Sequence, residues 1–184
     1  MSSKINILNI VKGHFDTLRS SSTGKVSIYD YFTFILLPLA VSAFIVWFGF
    51  EQSDQMSSLL VNFGAIFTAL LLSVLVLVYD QGNKLADKME NNNDKPIFNQ
   101  IKTLLDHLYY NICYSIVVSV SLVFLCLIEK VLRDCHFDIS VKDINVNIQL
   151  DNYLLSPLII FLTINLMLTI LMIVKRMHTL LTAK

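Results

Sequence analysis

Apolar residues fill four long stretches of this chain that no Asp, Glu, Lys or Arg interrupts. They cover residues 31–50, 55–79, 107–128 and 152–174, which is 20, 25, 22 and 23 positions. A hydrocarbon core of ~30 Å needs about 20 helical residues at ~1.5 Å each. A buried helix of a soluble protein is usually shorter and keeps a polar face. A chain of 184 residues is too small to hide four such stretches from water. In lipid each segment must satisfy its own backbone hydrogen bonds, so each stretch is read as a helix. The expected fold is an all-α integral membrane protein with four transmembrane helices, over 31–50, 57–79, 107–128 and 153–174. The first stretch starts too far into the chain and runs too long for a signal peptide.

The segments between these helices have their own periods. Residues 1–30 hold an amphipathic helix and a turn: Leu8, Val11, Phe15 and Leu18 recur at helical spacing, with Ile5 extending the stripe. This helix either lies on the inner leaflet or packs on the rest of the protein. Ser27 and Asp30 fit a capping box ahead of the first apolar run, and Pro38 is expected to bend or open that run. Residues 51–56 form a short outer loop, and Trp47, Phe48 and Phe50 before it suit an aromatic belt. Residues 80–106 read as a cytoplasmic helical hairpin in which Asp94 caps the second helix and Pro96 sits in its first turn. Ile97, Ile101, Leu104, Leu105 and Leu108 then make a stripe that packs inside the protein or docks a partner. In the loop 129–152 the period changes to two. Ile144, Val146, Ile148 and Leu150 alternate on one face, which predicts a small extracytoplasmic β-hairpin. An isolated hairpin is marginal in water, so this face should rest on the helix ends or on a second subunit.

Charge then sets the orientation. Lys plus Arg and Asp plus Glu are 14 each, a net charge of zero, which excludes nucleic acid as a direct partner. Residues 1–30, 80–106 and 175–184 hold 11 of the basic residues, and the two outer loops hold 3. The positive-inside rule places both termini in the cytoplasm, with the acidic segment 129–151 facing outward.

Inside the spans there is neutral polarity and no charge. Ser58, Asn62 and Ser73 share a narrow stripe with Ala65 and Ala69. Asn111, Ser115 and Ser119 repeat every four residues in the third span, and Asn165 and Thr169 are four apart in the last. Small and polar residues let membrane helices approach and bond; alternatively one stripe lines a water-filled path at an oligomer axis. Proton-coupled carriers place an ionisable group such as Asp, Glu or His near the midplane, and none sits mid-membrane in these spans. His14, His107, His136 and His178 are scattered. Cys113, Cys126 and Cys135 form no close pair. No metal-ligand cluster, cofactor motif or catalytic signature is found, so no enzyme is expected.

The segments "HFDTLRSSSTGKVSIYDYFTF", "FGAIFTALLLSVLVLVYDQGNKL", "LLDHLYYNICYSIVVS" and "LMLTILMIVKRMHTLL", in this order and spacing, resemble the small four-span membrane proteins of bacterial phage defence. Examples are the membrane partner of the Rex exclusion system and the membrane subunit of Kiwa. The resemblance implies a bacterial inner-membrane protein that senses infection or disrupts the membrane. Two modes of action follow. One is a homo-oligomeric effector that permeabilises the bilayer. The other is an anchor that recruits a cytoplasmic effector protein. A channel or carrier for a housekeeping solute is a separate reading that the residues leave open.

Overall fold

The computed structural model describes residues 7–18, 32–49, 53–91, 95–134, 140–141, 144–145 and 154–182. Five helices account for nearly all of them. They are α1 (Leu8–Asp16), α2 (Leu37–Trp47, entered through a π-helical turn at Phe32–Leu36), α3 (Asp54–Asn91), α4 (Lys95–Asp134) and α5 (Ser156–Thr182). Three helices are long and apolar enough to cross a membrane, over Asp54–Asp87, Asn99–Leu132 and Ser156–Thr182. Pro96 and Pro157 sit in the first turns of α4 and α5, where no intrahelical bond is lost.

The expected count of four spans is corrected to three. The stretch 31–50 yields only the shorter apolar helix Phe32–Trp47, below the ~20 residues a hydrocarbon core demands. Pro38 has no N–H to return to the carbonyl four residues back, and the turn before it widens to a π-helix. At the far end the helix stops at Trp47, and Gly49 takes a φ of 69°, a left-handed conformation that glycine adopts without a Cβ clash.

The expected hairpin is corrected too. Pairing among the described residues is a two-residue antiparallel ladder, Ser140–Val141 against Ile144–Asn145. Of the expected alternating face Ile144, Val146, Ile148 and Leu150, only Ile144 is in this ladder; Val146, Ile148 and Leu150 lie outside the described residues. So do Ser27, Asp30, Asp94, Cys135 and His136.

α4 is the spine. Its 40 residues make a rod of ~60 Å at ~1.5 Å per residue. Leu105, Leu108, Ile112, Ser115, Ser119, Leu122, Cys126 and Glu129 are all buried. Their spacing alternates three and four, the seam of helices packed at a shallow left-handed angle. α3 packs along α4, α5 packs along α4, and α2 packs on α5 rather than on its neighbour in sequence. α1 lies across α4. One apolar cluster joins Leu71 and Val78 of α3, Leu105, Leu108 and Ile112 of α4, and Ile173 of α5. A second joins Tyr114, Val118, Leu122 and Cys126 of α4 to Ile159 and Leu166 of α5.

Glycine sets the closest approach. A Cβ on Gly64 would lie 2.6 Å from the Val123 Cγ2 methyl and 3.3 Å from the Ser119 carbonyl oxygen, so only glycine lets α3 and α4 meet this closely. Half of the most apolar stretch of α4 is buried (50%), against 28% in α5 and 17% in α3. α3 is therefore the edge of the bundle.

Candidate functional site

Polar side chains gather at two places in this apolar bundle. The first is internal, where the middle of α4, α5, α1 and the π turn converge. Asn111 is fully buried on α4. Its Oδ1 accepts from His14 Nδ1 at 2.9 Å and lies 2.9 Å from the Thr17 hydroxyl, which also reaches the His14 carbonyl at 2.7 Å. The His14 ring stacks on Tyr114, with centroids 3.8 Å apart and planes 6° from parallel. Tyr114 donates its hydroxyl to Asn165 Oδ1 at 2.9 Å, and Asn165 Nδ2 donates to the Phe34 carbonyl at 2.8 Å. Thr169 donates to the Asn165 carbonyl at 2.8 Å. Arg176 closes the group, its Nη2 donating to the Thr17 carbonyl at 2.7 Å.

Each of these contacts has a cause in the chain. Phe34 lies four residues before Pro38, so its carbonyl is the one that a proline at 38 leaves without its α-helical donor. Asn165 supplies that donor from another helix. An amide oxygen can only accept, so His14 carries its proton on Nδ1 and Nε2 is bare. Burial pushes the His14 pKa down to about 4. The Asn111 bond works against this shift and the Arg176 charge works with it. His14 is neutral at pH 7. His14 Nε2, Asn111 Nδ2 and Ser115 Oγ are buried without a hydrogen-bond partner among the described residues.

Two further polar contacts tie α3 to α4. Ser119 donates to the Gly64 carbonyl at 2.7 Å, and Thr68 lies 2.9 Å from Ser119 Oγ and 2.8 Å from the same carbonyl. Near the opposite end, Ser57 donates to Glu129 at 3.0 Å. Glu129 is fully buried.

The second place is external. Ser58, Asn62 and Ser73 on α3, with Ala65 and Ala69 between them, are all exposed on the bundle surface. Ser73 bonds back to the Ala69 carbonyl at 3.1 Å.

The structure thus separates the polar positions picked out in the sequence. Asn111, Ser115, Ser119, Asn165 and Thr169 are buried between helices, and all but Ser115 hydrogen-bond there; none of the five lines a path through a single copy. Ser58, Asn62 and Ser73 face out. In the stripe proposed for a partner, Leu105 and Leu108 belong to the apolar core and Ile101 packs against it. Leu104 is half-buried, and the side chain of Ile97 lies outside the described residues. Sequence reading missed His14, Thr17, Tyr114, Thr68, Glu129 and Arg176. Of the apolar stripe at Leu8, Val11, Phe15 and Leu18, Leu18 is buried, Val11 packs against the second apolar cluster and Phe15 is half-buried, while Leu8 is exposed; His14 and Thr17 are buried beside them. One available signal was Pro38, since a proline within an apolar helix calls for a donor near the carbonyl four residues earlier.

No family model, curated protein sequence or solved structure matches this chain. With three helices long and apolar enough to cross a bilayer, its make-up is that of a membrane protein.

Proposed function

We propose that this chain is a non-enzymatic membrane protein that acts as an oligomer, an effector whose assembly breaches the barrier of a bacterial inner membrane. By its resemblance to the small membrane proteins of phage defence, the setting is an anti-phage response. The observation that carries this reading is Asn62. It lies within the charge-free stretch 55–79 of the edge helix and is exposed on the bundle surface, with no hydrogen bond among the described residues. An amide facing hydrocarbon is costly unless paired, so a single copy in lipid is an incomplete assembly. The internal polar groups hold helices together within one copy, which leaves the α3 face as the polar surface available for assembly. The basic residues of 80–106 and 175–184 support an orientation with the α1 end of the bundle in the cytoplasm.

Expression in bacteria is expected to collapse the membrane potential, and Asn62→Leu is expected to blunt the collapse. Purified protein in liposomes should release trapped ions or dye. Sealed liposomes at every protein-to-lipid ratio would refute permeabilisation.

A further inference from the structure

We infer that α3 pairs in parallel with α3 of a second copy of this chain, along Ser58, Asn62, Ala65, Ala69, Leu72 and Val76, with Asn62 facing Asn62. The inference rests on the oligomeric membrane reading above and names the contact that builds the oligomer.

Spacing is the first support. These six positions follow intervals of four, three, four, three and four, the repeat of two helices that wrap with a left-handed twist. All six are exposed. The seam that α3 already uses runs through Ser57, Gly64, Leu71 and Val78, every one buried and each seven residues from the last. At ~100° per residue the free seam lies about 120° around the helix from the used one, so both can be occupied together.

Asn62 is a second support, independent of the small residues around it. An amide offers both donors and an acceptor, so an identical amide at the same depth satisfies it. Copies of one membrane protein share an orientation. A two-fold axis along the membrane normal therefore brings equal residue numbers together, and the helices run parallel. A single Asn among apolar seam positions also fixes register. Ser58, Ala65 and Ala69 are small enough for the backbones to close around it. The stretch 55–79 offers no charge to recruit a partner of opposite sign, and its polarity is self-complementary, which selects a second copy over a different protein.

The test is disulfide trapping in membranes. A background of Cys113→Ser, Cys126→Ser and Cys135→Ser carries one new cysteine at a time. Mild oxidation should trap dimers from Asn62→Cys and from Ala69→Cys, and not from Leu59→Cys or Leu70→Cys, which lie on the same helix off the seam. Copies with Asn62→Cys mixed with copies carrying Val76→Cys should give no mixed dimer, because ~21 Å of helix separates those positions. Energy transfer between labelled copies should report self-association that Asn62→Leu weakens roughly 3- to 30-fold and that Asn62→Gln partly keeps. Trapping that is strongest at Leu59 or Leu70 would overturn the seam and leave the oligomer intact. So would rapid alkylation of Asn62→Cys by an impermeant maleimide, which would place that position on a water path. Absence of energy transfer at any protein-to-lipid ratio would remove seam and oligomer alike.

Discussion

Asn165 is a structural answer to Pro38. The proline removes the donor due to the Phe34 carbonyl, and the Asn165 amide, 2.8 Å away, replaces it while also accepting from Tyr114. Asn165→Leu therefore leaves two buried groups unpaired, at about 1–3 kcal/mol each, and the thermal midpoint in detergent should fall. Pro38→Ala restores a backbone N–H, so the same Asn165→Leu change should cost less in that background; a double-mutant cycle measures the difference. His14 makes a second prediction. Its pKa is lowered to about 4 in the folded protein from an ordinary 6.5. Between those values the unfolded chain binds the proton and the folded one does not, so stability is full above pH 6.5 and is lost as pH falls toward 4. The loss reaches about 3 kcal/mol at most, because each tenfold difference in proton affinity between the two states is worth ~1.4 kcal/mol. Unfolding followed across pH 4–8 should show this slope, and His14→Phe should flatten it.

Among the elements, α3 and α4 depend on one missing side chain. A Cβ at Gly64 would meet the Val123 methyl and the Ser119 carbonyl, and the latter belongs to rigid backbone. Gly64→Val should push the helices apart and cost about 1–3 kcal/mol, read as a lower thermal midpoint. How far the elements were legible in sequence follows from what writes them. Three of the charge-free stretches became long helices, because hydropathy and length alone decide whether a segment spans lipid. The stretch 31–50 misled because hydropathy counts apolar residues and does not register that Pro38 and Gly49 shorten the helix they sit in. The α4 repeat of Asn111, Ser115 and Ser119 was visible, yet whether it faced a helix or a path depends on neighbours that sequence spacing does not name. His14 and Arg176 were invisible for the same reason: 159 residues separate Arg176 from the Thr17 carbonyl it binds.

Across the whole molecule the helices stand in the order α3, α4, α5, α2, with α1 against α4. At the α1 end Arg176 binds the Thr17 carbonyl and His14 is uncharged. Arg176→Ala should loosen α1 without touching the α3–α4 seam. Limited proteolysis should then cut faster near residues 7–18 and at wild-type rates elsewhere. Accelerated cutting in α3 as well would show that the two ends are energetically coupled.

That order in space differs from the order along the chain, and the difference bears on how the protein is made. The surface that the Phe32–Trp47 helix rests on belongs to Ser156–Thr182, which leaves the ribosome later, after the whole of α3 and α4. Until α5 is made the segment lacks most of its packing surface, so an apolar stretch with a proline near its start then depends on lipid or on the insertion machinery for shelter. Chains stopped before residue 156 should expose it to protease, and full-length chains should protect it.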